Sequence, residues 1–235
     1  MSTSLTALVR RWRAGTNRTL RPVQWGNLRR LEPVSDRYGY DRGISADRAL
    51  VDAFIASHSS DIRGEVLEVR DPLYADRHSS HVTTREVLDI DRRNREATIV
   101  ADLGQPGSLP LERFDCFIMT QTLYLIRDPV SALRNAYACL RPGGTLLLTT
   151  PVIARVDPAA GPAGDYWRLE PAGLEALLGA ALPADAHVDV RGSGNVLVCI
   201  STLLGIAAEE LSQEELSHHD PRYPVIAVAR VSRPR

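Results

Sequence analysis

The chain contains no lysine; all 28 residues of its Lys-plus-Arg complement are arginine. That absence excludes a Schiff-base lysine, the lysine of a phosphate-binding loop and a lysine general base. Cysteine is scarce as well. Cys116, Cys139 and Cys199 lie in apolar stretches without Cys-x-x-Cys spacing, which excludes a disulfide frame or a thiol zinc site and points to buried thiols in a reducing cytosol. Neither sign of charge dominates: 28 basic residues stand against 29 acidic ones, for a net charge of -1. No global field therefore draws nucleic acid or an anionic membrane. No apolar run reaches the length of a membrane span. The N-terminus sets Leu5, Leu8, Val9 and Trp12 beside Arg10, Arg11 and Arg13, without the apolar core of a signal peptide. These residues read as a short amphipathic helix, packed on its own domain in preference to touching a membrane or a partner. A cytoplasmic protein is expected, with a small-molecule substrate and no nucleic-acid partner; a homo-oligomer stays open.

What is present is an ordinary globular composition, 44% hydrophobic and 24% charged, in 235 residues, enough for one sizeable α/β core. Residues 1–43 are Arg-rich and irregular, interrupted by Pro22, Pro33, Gly39 and Gly43, and read as an extension or lid on a domain of residues 44–235. From Ser45 the pattern turns helical, with Leu50, Val51, Phe54 and Ile55 on one face. Strands are predicted at 65–69, entered through Gly64, at 86–91, at 97–102, and at 114–120, the last nearly continuous in apolar residues as a strand covered on both faces should be. Asp128-Pro129 starts a helix; Arg141-Pro142-Gly143-Gly144 stops it and turns into a fifth strand, 145–150. Beyond a loop at 157–164 come a helix around Leu174 to Leu178, a strand at 187–191, a helix at 196–211 and a last strand at 224–231. Alternating strands and helices with short joints predict a doubly wound, Rossmann-like, mainly parallel sheet of about seven strands.

Three stretches together resemble the class I S-adenosylmethionine (SAM)-dependent methyltransferases: Val66-Leu67-Glu68-Val69; Phe114 to Ile126 followed by Asp128-Pro129; and Leu140-Arg141-Pro142-Gly143-Gly144 running into Thr145 to Pro151. Trp25 to Arg30, Tyr40 to Gly43 and Asp165-Tyr166-Trp167-Arg168 are similar to a bacterial subgroup often found beside glycosyltransferases, in sugar, polysaccharide or natural-product pathways. The resemblance implies SAM as cofactor, lying across the carboxyl ends of strands 1 to 4. It implies cofactor contacts from Glu68 and Asp71 around the first turn, from Asp91 (or Asp89, two residues earlier) to the ribose, from Asp102 and Leu103 to the adenine, and from Gln121 at the methionine end.

One stretch departs from the family pattern. The turn after strand 1 should be glycine-rich, because the cofactor approaches the backbone closely there. Here it reads Arg70-Asp71-Pro72, and no glycine occurs between Gly64 and Gly104. Methyl transfer itself asks for alignment and removal of one proton. Candidate groups are Asp165, His218, His219 and Asp220, with Tyr166 and Arg168 touching substrate or else pinning a loop; no metal site is expected from the His-His-Asp run. Arg42 and Arg48 either close over the site or form surface ion pairs. Two functions follow. One is SAM-dependent methylation of a hydroxyl or carboxylate on a sugar or secondary metabolite. The other is a methyltransferase fold that does not methylate, either a SAM-independent enzyme (cyclisation, rearrangement or elimination) or a non-catalytic partner of a glycosyltransferase.

Overall fold

The computed structural model describes residues 16, 19–78, 80–157, 160 and 164–235. The helix expected around Leu5 to Trp12 lies outside the described residues. The chain divides into two compact units, Met1–Pro33 and Val34–Arg235. The first contains a 3-10 turn at Gly26–Leu28, closed by the Leu28 N–H donating to the Trp25 carbonyl at 2.8 Å.

The second unit is built on seven strands: β1 Gly64–Val69, β2 Val82–Asp89, β3 Ile99–Val100, β4 Phe114–Thr120, β5 Leu140–Pro151, β6 His187–Ser193 and β7 Ile226–Ser232. They run in the order β3-β2-β1-β4-β5-β7-β6, the first five parallel and β7 antiparallel to both its neighbours. Among the described residues six α-helices accompany them: α1 Ala46–Ser57, α2 Leu73–His78, α3 Pro129–Ala138, α4 Pro171–Ala181, α5 Val196–Leu204 and α6 Gln213–Ser217. This is the doubly wound α/β architecture expected from the strand–helix alternation. Successive strand residues face opposite ways, so each strand supplies two cores. Leu67, Phe117, Met119, Leu146 and Leu148 meet α3 and α4 on one face; Val66, Cys116, Ile118 and Leu147 meet α1 and α5 on the other. Each such fully buried side chain contributes roughly 1.5–3 kcal/mol.

Boundaries moved where local chemistry overrode the apolar pattern. The Pro-Gly-Gly segment lies within β5 and not ahead of it. The pairing passes from Phe114↔Leu140 to Cys116↔Thr145 across a bulge, where Gly143 has φ +84° and a Cβ on Gly144 would sit 2.9 Å from the Phe114 carbonyl oxygen. The helix expected to reach residue 211 stops at Leu204, because Gly205 takes φ +67° and caps it in the left-handed conformation. A separate short α6 follows, opened by a capping box of Ser212 and Glu215. Ser212→Ala is expected to cost about 1 kcal/mol of stability, seen as a lower urea midpoint with unchanged slope.

Strand order reverses between β1 and β4, since β1 pairs with β2 on one side and β4 on the other. A crevice opens at the carboxyl ends of strands at such a switch point.

Candidate functional site

A cleft of about 1670 Å³ occupies that crevice. It exceeds the roughly 300–1,000 Å³ of an ordinary small-molecule site, so it has room for two ligands side by side.

One wall is made by the turns after β1, β2, β3 and β4. Glu68, the penultimate residue of β1, is buried and accepts hydrogen bonds from the N–H groups of Tyr74 (3.0 and 3.1 Å) and Ala75 (2.9 Å) in α2. Burial still dominates those bonds and pushes its carboxyl up to about 7. Arg70 follows with φ +77°, the left-handed conformation that glycine adopts freely and other residues resist. It is held there on both sides. Its N–H donates to the Leu88 carbonyl at 2.8 Å, and its own carbonyl accepts from Asn94 Nδ2 at 2.7 Å. The same Asn94 Nδ2 donates to Asp89 Oδ2 at 2.6 Å, tying the β1 turn to the carboxylate that ends β2. The Asp71 N–H bonds to the Val69 carbonyl, and Asp71 Oδ1 accepts from the Leu73 N–H at 3.3 Å.

Both acids of the β2 end line the cleft. Asp89 closes the strand, whereas Asp91 turns to the Arg93 guanidinium, whose hydrogen bonds hold its carboxyl at about 2. Asp102 caps the turn after β3, accepting from the Gly104 N–H at 2.9 Å. The backbone at Leu103 is fixed by Asn135, whose Nδ2 donates to the Leu103 carbonyl at 2.8 Å. Gln121 leaves β4 with φ +45°, and its Nε2, shut off from solvent, has no hydrogen-bond partner among the described residues.

The opposite wall comes from residues 38–40, the turn after β4 and the segment leaving β5. Tyr38, Tyr40, Tyr124 and Tyr166 face the cleft with Arg155, Asp157 and Arg168. Arg168 has all five guanidinium N–H donors engaged: Nε with the Ala154 carbonyl, Nη1 with Asp165 and the Trp167 carbonyl, Nη2 with Asp165 and the Arg155 carbonyl. Asp165 also accepts from the Asp157 N–H at 2.7 Å, and its hydrogen bonds to Arg168 hold its carboxyl below the usual range. The Asp165–Arg168 pair is therefore a clasp that shapes the post-β5 segment. Trp167 belongs to the same clasp, its Nε1 donating to the Ile126 carbonyl at 2.9 Å. Burial pushes the Tyr124 hydroxyl up to about 12 and raises Tyr38, with Asp157 adding to both.

The sequence-derived residues thus divide. Glu68, Asp71, Asp91, Asp102, Leu103 and Gln121 share one wall; Tyr166 and Arg168 lie on the other. His218 and His219 lie outside the lining. The His218 carbonyl accepts from Asn195 Nδ2, His219 Nδ1 accepts from the Gly194 N–H at 3.2 Å, and Asp220 is paired with Arg222. Of the two flanking arginines, Arg42 pairs with Glu210, while Arg48 lines the cleft 5.0 Å from the Tyr74 ring and 3.6 Å from Asp52. Sequence reasoning missed Tyr38, Asn94, Tyr124, Arg155 and Asp157. Only the density of tyrosine and arginine in these stretches hinted at them.

A family model described as a methyltransferase domain matches residues 33–179. No curated protein sequence is matched by the chain. Among solved structures, the chain is similar to the N-methyltransferase NodS from Bradyrhizobium japonicum WM9 in complex with S-adenosyl-L-homocysteine (SAH). That likeness has 16% identity over 86% of this chain and 94% of the other, at TM-score 0.53. The [4+2]-cyclase SpnF is similar over 82% of this chain and 84% of its own, at 17% identity and TM-score 0.53. A SAM-dependent methyltransferase from Archaeoglobus fulgidus matches 79% of this chain and 94% of its own, at 13% identity and TM-score 0.51. At such identities the structural likeness speaks for the fold.

Proposed function

The chain belongs to the methyltransferase-domain family, and from that premise we propose that it is an enzyme transferring a methyl group from SAM to a hydroxyl or carboxylate of a sugar or secondary metabolite. The observation that carries this reading is the cleft itself. Its carboxylate-bearing wall suits a nucleoside and its tyrosine-bearing wall suits an acceptor. SAM, when bound, supplies an activated methyl group on a sulfonium. The protein's part is then to hold, orient and deprotonate.

We assign the ribose hydroxyls to Asp89, with Asp91 beside it, and the adenine to Asp102 and the Leu103 backbone. Glu68 and Asp71 shape the turn below the methionine end. The unsatisfied Gln121 Nε2 supports a polar group arriving there, since a buried donor without a partner is costly. On the acceptor side, Asp157 is the carboxylate we assign to receive the acceptor's proton, with Tyr166 bordering it. Asp165 and Arg168 act by holding the segment that presents them. Natural-product or polysaccharide biosynthesis is the pathway class we favour, in the cytosol, where Cys116, Cys139 and Cys199, free and buried, would stay reduced. Among the described residues no helix is long and apolar enough to cross a membrane.

Calorimetry with SAM and SAH tests the reading. Micromolar binding of both is expected; no heat and no thermal shift with either would sink it. The second reading, a SAM-independent reaction in the same cleft, draws on the Arg70-Asp71-Pro72 turn. There the N–H groups of residues 70, 71, 73, 74 and 75 are all bonded within the protein, and Pro72 has none. Turnover of an acceptor without SAM would favour it.

A further inference from the structure

We propose that the β5 side of the cleft is an anion-accepting subsite, in which Arg155 reads a carboxylate or phosphate group on the small molecule bound there. Calling that molecule the methyl acceptor rests on the function proposed above; the subsite does not.

Two arginines that flank the same loop differ in what they leave free. Arg168 has every donor engaged and a carboxylate of its own, so nothing is left for a ligand. Arg155 is the reverse. Its guanidinium lies 3.9 Å from the centre of the Tyr38 ring and within hydrogen-bonding reach of the Tyr38 hydroxyl, and its Nη2 donates to the Asp36 backbone carbonyl. Its Nε is shut off from solvent and has no hydrogen-bond partner among the described residues. The carboxylate it approaches within the ion-pair range is that of Asp36, at 4.0 Å, and this side chain is 87% exposed. An ion pair so long and so wet neutralises little. A cation with donors to spare therefore lines a cleft large enough for two ligands, and a guanidinium fork matches carboxylate or phosphate oxygens in geometry as well as charge.

The surroundings suit the same ligand. The contact with the Tyr38 ring restrains the guanidinium and so reduces what is lost on binding. The Tyr124 hydroxyl titrates above its ordinary range, so it stays protonated and remains a donor toward an anion, while the Tyr38 hydroxyl is shared with Asp157 and Arg155. Asp157, on the same wall, disfavours a second negative group nearby and favours a hydroxyl there. The chemistry that fits is a molecule carrying one anionic group and a neighbouring hydroxyl.

A matched pair of probes tests this: 4-hydroxybenzoate, whose ring suits a tyrosine-bearing wall, and the neutral 4-hydroxybenzamide, with inorganic phosphate as competitor. Binding is measured by calorimetry to the full chain and to Arg155→Gln and Arg155→Lys, with SAH affinity and melting temperature recorded for each. Wild-type protein is expected to prefer the benzoate by about ten-fold, the order of one charge-assisted bond, and phosphate is expected to displace it. Arg155→Gln should abolish the preference while leaving benzamide binding and SAH affinity in place; Arg155→Lys should keep part of it. Equal affinity for the two probes, no saturable binding of any anion, or an equal loss of both probes in Arg155→Gln would overturn the subsite; the last would make Arg155 a clamp on residues 36–38 only. If SAH fails to bind but the anion preference holds, methyl transfer falls and the subsite stands. If SAH binds and the preference is absent, the reverse is true.

Discussion

Between pH 4.5 and 7 the folded state is expected to lose up to about 3 kcal/mol of stability through Glu68, and Glu68→Gln to abolish that loss. The carboxyl titrates near 4.5 when exposed and near 7 in the fold, where burial penalises the charged form. Below 4.5 both states are protonated. Between the two values the folded protein holds a proton that the unfolded chain has released, so stability falls as pH rises; above 7 the loss is complete. The carboxylates of Asp91, Asp165, Glu210 and Asp220 are held below their ordinary range and act in the opposite sense, with windows near or below 4.5. The Glu68 contribution is therefore isolated by comparing urea midpoints of wild type and Glu68→Gln at pH 5 and pH 8. Identical pH dependence in the two would refute it.

The same carboxyl gives a functional readout. Glu68 lines the cleft, with Asp71 and Arg48 as its charged neighbours. A cationic ligand settling there favours the ionised form, so SAM binding near pH 6.5 is expected to release protons from Glu68. Calorimetry in buffers of different ionisation enthalpy counts those protons. The count should fall toward zero in Glu68→Gln.

Why Glu68 was legible and Arg155 was not follows from where each residue's partners lie. β1 and β4 are central strands, and their continuous apolar residues (Val66-Leu67, Cys116 to Met119) admit few alternatives to a sheet covered on both faces. Strand-end acids such as Asp102 then fall beside the crevice by topology alone. Asp89 and Asp91 were ambiguous because residues two apart share a face of a strand. Only the turn made by Asn94, reaching back 24 residues to the Arg70 carbonyl, fixes where β2 ends. His218 and His219 precede the last strand but do not line the cleft. β7 starts opposite Pro151, at the cleft end, but the turn before it packs toward Gly194 at the β6 edge. Tyr38 and Arg155 meet across most of the fold, after Val34 and Ser35 have fastened to the Leu204 carbonyl, and no local pattern encodes such a meeting.

Asn94→Ala is expected to weaken SAH binding by roughly 30-fold, about 2 kcal/mol, and Arg70→Gly in the same chain to restore most of it. The left-handed conformation of Arg70 is unfavourable for a residue with a Cβ by roughly 1–2 kcal/mol. Asn94 opposes that preference by holding the Arg70 carbonyl and the Asp89 carboxylate together. Without it the turn relaxes, and affinity falls in proportion to the fraction of molecules that keep the binding-competent backbone. Glycine adopts the left-handed region freely, so with Arg70→Gly the latch loses most of its importance. A double-mutant cycle on SAH affinity, with melting temperatures alongside, measures the coupling. If Asn94→Ala costs the same with or without Arg70→Gly, then Asn94 acts by orienting Asp89, not by holding the turn. If wild type binds no SAH and Arg70→Gly with Pro72→Gly creates binding, the arginine turn is the barrier to the cofactor, and the SAM-independent reading gains accordingly. The latch reading expects glycine at residue 70 to matter only once Asn94 is removed, whereas the barrier reading expects it to matter in the wild-type background, and that makes Arg70 the most informative position in the cleft.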